Sequence, residues 1–296
     1  MHLKLAVVVP FLNEEDLIPE FLASLAEQEL VPDELLLVDD GSSDRSPDLA
    51  AAFVRDRPWA RVLRRPARPP QSDRMVQAHE LQAFQWGLGQ LESDWDVVAK
   101  LDADLRLPRT FFAHLMDQFA NAPRLGMAGA YVSELDDTGT PIRHRGSPEH
   151  VTGATSFYRR ECWEAIAPLP AILGWDTIDE LRARINGWRT ESFALPGGDP
   201  LHLRRMGSYD GLLRGFRRAG AAAYAYGAHP AWVAASAIAR TRERPVALCG
   251  ANYLAGWLGA AARRAPRAPA DERRCMRREN LSRMRAAMKS RGIPGR

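Results

Sequence analysis

Cysteine is scarce in this sequence, and its few copies lie far apart. The 296 residues contain three cysteines, Cys162, Cys249 and Cys275, and none of them belongs to a CxxC pair. A disulfide framework needs an even number of cysteines, and these three form no such set. We therefore exclude a disulfide-stapled scaffold and expect a reduced compartment, the cytoplasm.

Long hydrophobic runs are also lacking. The longest uncharged stretches, Ala219–Ala239 and Pro245–Ala262, are rich in alanine and glycine and only weakly apolar. A membrane-spanning helix needs a more apolar run. The apolar run after Lys4 meets the acidic segment Asn13–Asp16 without a small-residue cleavage pattern, so we expect no signal peptide.

The charge is unevenly distributed along the chain. The net charge is +3, but residues 263–296 hold 12 of the 40 basic and 3 of the 37 acidic residues. This tail therefore carries a charge of +9, and the rest of the chain carries −6. A basic tail of this kind meets anionic lipid or nucleic acid, or is simply solvated.

The first part of the chain alternates apolar strands with helices. Leu3–Phe11 and Leu35–Val38 are Val- and Leu-rich runs that predict strands buried on both faces. Asp16–Glu29 and Ser46–Asp56 have helical patterns, and Arg61–Leu63 predicts a third strand. This order predicts an α/β fold, Rossmann-like, with a mainly parallel sheet flanked by helices.

The alternation of strands and helices ends near Gly211, where the sequence becomes helical and alanine-rich. We therefore predict two domains. Residues 1–210 form the α/β domain, and residues 211–296 form a helical, basic C-terminal extension.

Three predicted strands end in polar, acidic segments. These segments are Pro10–Glu14, Asp39–Asp44 and Asp102–Asp104. Ligands of open parallel sheets bind beyond the carboxyl ends of the strands, where the three segments would meet. Acidic clusters at one edge repel each other unless a cation or a donor-rich ligand lies there. Two carboxylates at i and i+2 suit Mg²⁺ or Mn²⁺, although they could also only solvate a loop and cap the next helix.

Five segments, in this order, resemble the inverting, metal-dependent glycosyltransferases of family 2, which have the GT-A fold. The segments are VVVPFLNEED (7–16), LLLVDDGSSDRS (35–46), VVAKLDADLRLP (97–108), GATSFYRRECWEAI (153–166) and GWDTIDELRARINGWRT (174–190). The resemblance implies a GT-A catalytic domain that binds a nucleotide-sugar.

The resemblance also implies roles for the residues at the strand ends. Asp39 and Asp40 would accept hydrogen bonds from the uracil or ribose of a nucleotide. Asp104 would bind Mg²⁺ or Mn²⁺, His202 would complete the metal site, and Asp102 would contact ribose or metal. The other implied nucleotide-binding residues are Pro10, Phe11, Asn13, Glu14 and Lys100, and Arg204 or Arg205 would meet the diphosphate.

The catalytic base is less sharply placed, because the chain departs from the family pattern. The family's Glu-Asp pair is replaced by Trp175-Asp176, followed by Asp179-Glu180. Asp176, Asp179 and Glu180 are therefore all candidates for the base that deprotonates the acceptor hydroxyl. The spacing from Glu180 to Arg184 favours Asp179, whereas Asp176 is the match if Trp175-Asp176 replaces the pair outright. Each of them would also be stable as an ordinary acidic residue at a helix N-terminus.

A second departure concerns the nucleotide. Where the family has a basic residue and an asparagine facing the nucleotide, this chain has His79 or Glu80, and Gln85. The identity of the nucleotide is therefore open, with a UDP-sugar preferred.

The resemblance implies transfer of a sugar to a polysaccharide or a lipid-linked glycan, such as a bacterial exopolysaccharide of the cell envelope. A sugar-nucleotide pyrophosphorylase-like enzyme would need a Gly-rich basic loop after the first strand, where this chain has the acidic PFLNEED. A non-catalytic nucleotide-sugar-binding protein is a further alternative.

The C-terminal extension predicts a peripheral contact with a membrane. Arginine-rich segments, Arg240–Arg244 and Arg263–Arg278, bracket the weakly apolar Pro245–Ala262, which contains Tyr253 and Trp257. This pattern is typical of helices at an anionic lipid surface, here the inner face of the membrane, and also of a helical subdomain with a solvated basic face. We expect no nucleic acid as a partner, because the tail lacks interleaved aromatics.

Overall fold

The computed structural model describes residues 3–66, 77–136, 139–143, 147–204, 211–243 and 245–291, without the side chains of residues 290 and 291. In chain order, the strands are β1 (Leu5–Phe11), β2 (Glu34–Asp39), β3 (Ala60–Arg64), β4 (Val97–Leu101), β5 (Leu105–Arg106), β6 (Leu125–Ala130), β7 (Ser133–Leu135), β8 (Pro141–Arg143), β9 (Thr155–Arg159), β10 (Arg189–Phe193) and β11 (Leu201–His202). The helices are α1 (Ile18–Ala26), α2 (Ser46–Val54), α3 (His79–Leu88), α4 (Phe111–Asn121), α5 (Arg160–Ile166), α6 (Trp175–Ile185), α7 (Leu212–Ala225), α8 (Pro230–Arg240), α9 (Leu248–Ala262) and α10 (Ala270–Arg291).

Within the described residues, seven strands form one sheet in the order β10-β6-β9-β4-β1-β2-β3. The pairs β1–β2, β1–β4, β2–β3 and β6–β10 are parallel, whereas β9 runs antiparallel to both β4 and β6. The predicted fold class, a mainly parallel sheet flanked by helices, is confirmed. The antiparallel direction of β9 was not part of the prediction, because direction depends on the connection and not on the strand's own residues.

The central strands are buried on both faces, as their unbroken apolar sequences predict. Alternate residues such as Val7 and Leu37 belong to a core cluster that includes residues of α1, α2 and α4. The residues between them face α3. There, a Cβ atom on Gly87 would lie only 2.7 Å from Val38 and 2.8 Å from Val8, so only glycine permits this close helix–sheet approach.

Four short strands form a second sheet in the order β5-β11-β7-β8. The predicted strand Gly126–Ser133 is in fact divided between the two sheets, since β6 ends at Ala130 and β7 begins at Ser133. This small sheet positions the predicted metal ligands, because β11 contains His202 and β5 begins directly after Asp104.

The chain divides into two compact units. The first contains residues 1–74, 79–168 and 186–206, and the second contains residues 75–78, 169–185 and 207–296. The predicted C-terminal helices are present, and α6 belongs to the same unit as they do. The boundary between residues 210 and 211 adjoins a gap in the described residues and stays a prediction.

The helical unit is held by close helix packing and by ion pairs. Helices α7 and α9 touch at glycines, since a Cβ atom on Gly220 or Gly256 would collide with the backbone of the other helix. Helix α10 is joined to α6, where Glu272 Oε1 accepts from Arg182 Nε at 2.8 Å. Among the residues that the structure describes, no helix is long and apolar enough to cross a membrane.

Candidate active site

The loops that follow β1 and β2 are tied together by hydrogen bonds. Asn13 N–H donates to Ser42 Oγ at 3.1 Å, and Ser43 N–H donates to Asn13 Oδ1 at 2.8 Å. Further along, Glu14 N–H donates to Ser46 Oγ at 2.8 Å. Asn13 has a φ of 53°, a left-handed conformation that asparagine tolerates better than most residues. The two polar loops therefore form one connected edge of the sheet.

Asp39, at the end of β2, holds the turn that follows it. Its Oδ1 atom accepts from the backbone N–H groups of Gly41 at 3.1 Å and Ser42 at 2.7 Å. Its Oδ2 atom lies 3.3 Å from Arg64 Nε and accepts no hydrogen bond from the described residues. The side chain is 1% exposed. Asp39 thus shapes the predicted nucleotide edge from inside the protein.

Asp40 and the end of β1 lie beside this turn. Asp40 Oδ1 accepts from Arg65 Nη1 at 2.7 Å, and both side chains are largely buried. Pro10 and Phe11 are the last residues of β1, and Phe11 packs its ring into the core. The Phe11 carbonyl accepts from Asp40 N–H at 2.9 Å. Phe11 therefore reaches the predicted nucleotide edge through its backbone, while its ring does not.

The predicted metal ligands converge after β4. Asp102, Asp104 and His202 each offer one ligand atom, and these atoms all lie within 4.8 Å of one another. His202 Nε2 is 3.7 Å from Asp102 Oδ2 and 3.6 Å from Asp104 Oδ1. Strand pairing produces this approach, because His202 is opposite Leu105 in the β5–β11 pair and Leu203 N–H donates to the Asp104 carbonyl at 2.9 Å.

The tautomer of His202 suits a metal ligand. Its Nδ1 atom hydrogen-bonds to the backbone carbonyl of Arg204, which can only accept, so Nδ1 carries the proton. This leaves Nε2 facing Asp102 and Asp104. A carbonyl that fixes the tautomer of a ligating histidine is a recurrent outer partner in metal sites. Two carboxylates and an imidazole nitrogen form a donor set that fits Mn²⁺ and, less well, Mg²⁺.

The electrostatics of the cluster also call for a cation. Burial works to raise the pKa of Asp102, but Lys100 and His202 lower it to about 2. Burial and the charges of Asp102 and Glu14 raise the pKa of Asp104 to about 6. Burial favours the neutral His202 ring, yet the two aspartates raise the pKa of His202 above its usual value. Positive charge is therefore favoured between these three side chains, whether it comes from protons or from a metal ion.

Arg204 joins the β1 loop to the metal cluster. Its guanidinium binds both oxygens of Glu14, at 3.0 and 2.6 Å, and Nη1 lies 3.7 Å from Asp104 Oδ2. Glu14 thereby holds in place the arginine that we predict to meet the diphosphate. The alternative candidate, Arg205, lies outside the described residues.

Lys100 is buried, and its ammonium is paired with acceptors of the protein itself. It is 1% exposed on β4, where its ammonium donates to Asp102 Oδ1 and to the Gly153 carbonyl at 2.7 Å and forms an ion pair with Glu80. These acceptors hold the ammonium inside the protein, and the predicted contact of Lys100 with a nucleotide stays a prediction. The missed signal was a lysine inside the buried strand Val97–Leu101, which requires an acidic partner.

The three candidate bases lie on the first two turns of α6, in the second unit. Glu180 Oε2 pairs with Arg184 Nη1 at 3.2 Å, and its side chain is 3% exposed. Asp179 is fully buried, and its Oδ1 accepts from Glu180 N–H at 2.6 Å. Asp176 is only half-buried, in the first turn. The three carboxylates therefore differ in the property that a base needs, which is access to a substrate.

A family model described as glycosyl transferase family 2 matches residues 6–166. This segment contains the connected β1–β2 edge and the Asp102-Ala103-Asp104 stretch, whereas His202 and α6 lie beyond it. A search of curated proteins found no match.

Solved glycosyltransferase structures have a similar fold. The mannosyltransferase PcManGT from Pyrobaculum calidifontis, in complex with GDP-Man and Mn²⁺, has a TM-score of 0.56 at 17% identity, covering 97% of this chain and 81% of that chain. S. aureus TarS in complex with UDP-GlcNAc has a TM-score of 0.53 at 16% identity, with coverages of 88% and 73%. Glucosyl-3-phosphoglycerate synthase from Mycobacterium tuberculosis, with Mg²⁺ and UDP, has a TM-score of 0.50 at 18% identity, with coverages of 70% and 75%. At these identities the likeness concerns the fold, and the family model, which spans more than half of the chain, shows that this protein belongs to glycosyl transferase family 2.

Proposed function

We propose that this protein transfers a sugar from a nucleotide-sugar to a hydroxyl of a polysaccharide or lipid-linked glycan, with inversion at the anomeric carbon and with a divalent ion bound. The observation that carries the proposal is the convergence of Asp102, Asp104 and His202 beyond the end of β4. The neighbouring strand ends supply the polar β1–β2 edge, which is where a nucleotide binds in an open parallel sheet.

The nucleotide lies along the β1–β2 edge in this proposal. Asp39 has one carboxylate oxygen without a hydrogen bond from the described residues, and we assign to it an N–H of the base. Asn13 and Asp40 flank the same turn and are assigned to the base and ribose. We prefer UDP as the nucleotide. GDP is the alternative to test beside it, because solved structures of similar fold contain UDP-GlcNAc in one case and GDP-Man in another.

Asp102, Asp104 and His202 would hold the divalent ion. When bound, such an ion neutralises negative charge that develops on a leaving nucleoside diphosphate. Arg204, held by Glu14, would add a fixed positive charge beside the diphosphate. Lys100 would keep the Asp102 carboxylate ionised and fixed in orientation from below.

Asp176 is the catalytic base in this proposal. The base must reach an acceptor hydroxyl, and Asp176 is the least buried of the three candidates. The carboxylate of Glu180 forms an ion pair with Arg184, and Asp179 is fully buried beside the Glu180 backbone N–H. We therefore assign structural roles in α6 to Asp179 and Glu180.

We also propose that the protein works at the inner face of a bacterial membrane, where lipid-linked precursors of exopolysaccharide and other cell-envelope glycans are made. The charge of +9 on residues 263–296 supports this location, since it attracts anionic lipid headgroups.

Donor turnover tests the metal-dependent reaction. Release of nucleoside diphosphate would be measured for UDP- and GDP-sugars with Mn²⁺, with Mg²⁺ and with EDTA, using a glycan-lipid extract as acceptor. We expect turnover with one nucleotide class, faster with Mn²⁺ and abolished by EDTA. Donor binding without hydrolysis or transfer to any acceptor would indicate a non-catalytic binding protein instead.

Substitution of the three α6 carboxylates tests the base. We expect Asp176→Asn to lower kcat by about 10²- to 10⁴-fold, because the acceptor hydroxyl loses its proton acceptor. Its affinity for the nucleotide and for Mn²⁺ should stay unchanged. The matched control is Asp179→Asn, which should mainly lower the free energy of unfolding. A full loss of kcat in Asp179→Asn with normal activity in Asp176→Asn would reverse the assignment.

A further inference from the structure

The outer face of α9 is apolar and exposed. No charged residue occurs between positions 245 and 262. Leu248, Leu254 and Leu258 are 49%, 39% and 53% exposed, and Val246, just before the helix, is 67% exposed. A surface helix normally presents charged residues to water on the face opposite the core. The outer face of α9 lacks them and so needs another explanation.

The opposite face of α9 accounts for its packing inside the helical unit. Its buried residues include Cys249, Tyr253 and Ala260, and the helix packs against α7 and α8. At 100° per residue, the three leucines lie on the side of the helix away from these buried positions. The exposed leucines are therefore not needed for the core of this unit.

Basic residues lie at both ends of this apolar segment. Arg242 precedes it, and Arg263 and Arg264 follow it directly, and all three are exposed. Helix α10 adds further exposed basic residues, among them Arg274 and Arg278. An apolar helix face with cationic ends is the pattern of helices that lie in the interface of an anionic membrane.

We propose that the outer face of α9, formed by Leu248, Leu254 and Leu258, lies on an anionic lipid surface with Arg263 and Arg264 at the headgroups. The 15 residues of α9 span about 22 Å, less than the ~30 Å hydrocarbon core, so the helix would lie along the surface. This gives the proposed membrane location a defined contact surface.

A second copy of the chain fits this face less well than lipid does. A two-fold contact through α9 brings the same surface of both chains together. The exposed arginines at both ends of the helix and the charge of +9 on residues 263–296 would then oppose like charges. An anionic lipid surface instead complements these charges and covers the leucines.

Co-sedimentation of the full chain with vesicles tests the proposal. The vesicles would contain phosphatidylcholine alone or phosphatidylcholine mixed with phosphatidylglycerol. We expect at least about tenfold tighter binding to the anionic vesicles, weakened by salt. Leu258→Glu should weaken this binding by about tenfold or more. Met288→Glu is the matched control, because Met288 is 65% exposed on α10 and the substitution adds the same charge.

Three results would overturn the proposal. They are equal sedimentation with neutral and anionic vesicles, equal binding by Leu258→Glu and Met288→Glu, and a vesicle-free dimer that Leu258→Glu dissociates. Leu258→Ser provides a second variant without added charge. Calorimetric binding of Mn²⁺ and nucleotide, measured on the same variants, separates this surface from the transferase site, because the proposal predicts no change in either.

Discussion

The strand ends of β2 and β4 both carry aspartates, and the two environments differ. After β2, Asp39 accepts from two backbone N–H groups and Asp40 pairs with Arg65. After β4, Asp102 and Asp104 approach each other and His202. The charge of the first set is balanced by Arg64 and Arg65, whereas the second set still attracts a cation. Similar acidic pairs in a sequence can therefore shape a turn in one place and contribute to a candidate metal site in another.

The comparison also shows how each pair is supported. Arg64, the partner of Asp39, is 63% exposed, so water screens its charge, and the buried Asp39 relies mainly on its two backbone donors. Lys100, the partner of Asp102, is 1% exposed, and burial makes its pairing with Asp102 and Glu80 obligatory. The buried group is therefore the cation Lys100 at the β4 end, whereas at the β2 end the aspartates themselves are buried.

The largest expected effect is the loss of metal binding in Asp104→Ala, and this loss should distinguish the two strand ends. Asp104→Ala removes a metal ligand, so we expect Mn²⁺ affinity to fall by about 100-fold or more and turnover by about 10³-fold. Calorimetric titration with Mn²⁺ and the donor-turnover assay would measure these losses. Asp39→Ala, the control at the other strand end, should change Mn²⁺ affinity by less than about threefold, because Asp39 is not part of the cluster. Equal losses of Mn²⁺ affinity in Asp104→Ala and Asp39→Ala would contradict the assignment of the metal site to the β4 end.

The next effect concerns the buried lysine. Lys100→Met leaves two acidic side chains without their buried partner, so we expect the free energy of unfolding to fall by about 3–5 kcal/mol. Arg64→Gln removes an exposed cation while Asp39 keeps its two backbone donors, so this variant should cost less than about 1 kcal/mol. Urea denaturation of both variants measures the difference. Similar losses in the two variants would show that buried Lys100 contributes no more to stability than exposed Arg64.

The smallest effect tests the turn after β2. Asp39→Ala removes the acceptor of two backbone N–H groups, and we expect a loss of about 1–3 kcal/mol in the free energy of unfolding. Asp39→Asn keeps an acceptor oxygen and should lose less. The same urea denaturation experiments provide the measurement. A loss in Asp39→Asn as large as that in Asp39→Ala would mean that the charge of Asp39, and not its hydrogen bonds, holds the turn.

The sequence predicted more of the fold than of the site's details. The Val-rich runs of β1 and β2 predicted buried parallel strands, because only such strands are apolar on both faces. The family resemblance implied the candidate metal ligands Asp102, Asp104 and His202, which the structure brings together. It did not show that β9 runs antiparallel or that β11 pairs with β5, since both features depend on residues distant in the chain.

Lys100 shows the same limit at a single residue. Its position beside the acidic motif predicted a nucleotide contact, whereas its burial directs the ammonium to Asp102, Gly153 and Glu80. The partner Glu80 is 20 residues away and on another element, so local sequence could not identify it.

The sequence by itself determined the α/β class, the acidic strand ends, the family resemblance and the charge-free segment between its arginines. These follow from local periodicity and composition, which every short segment carries. Only the tertiary structure decided which aspartates are balanced by backbone donors and which meet a histidine about 100 residues later. It also decided that the leucines of α9 face outward, because burial and charge balance depend on what the folded chain places around each side chain.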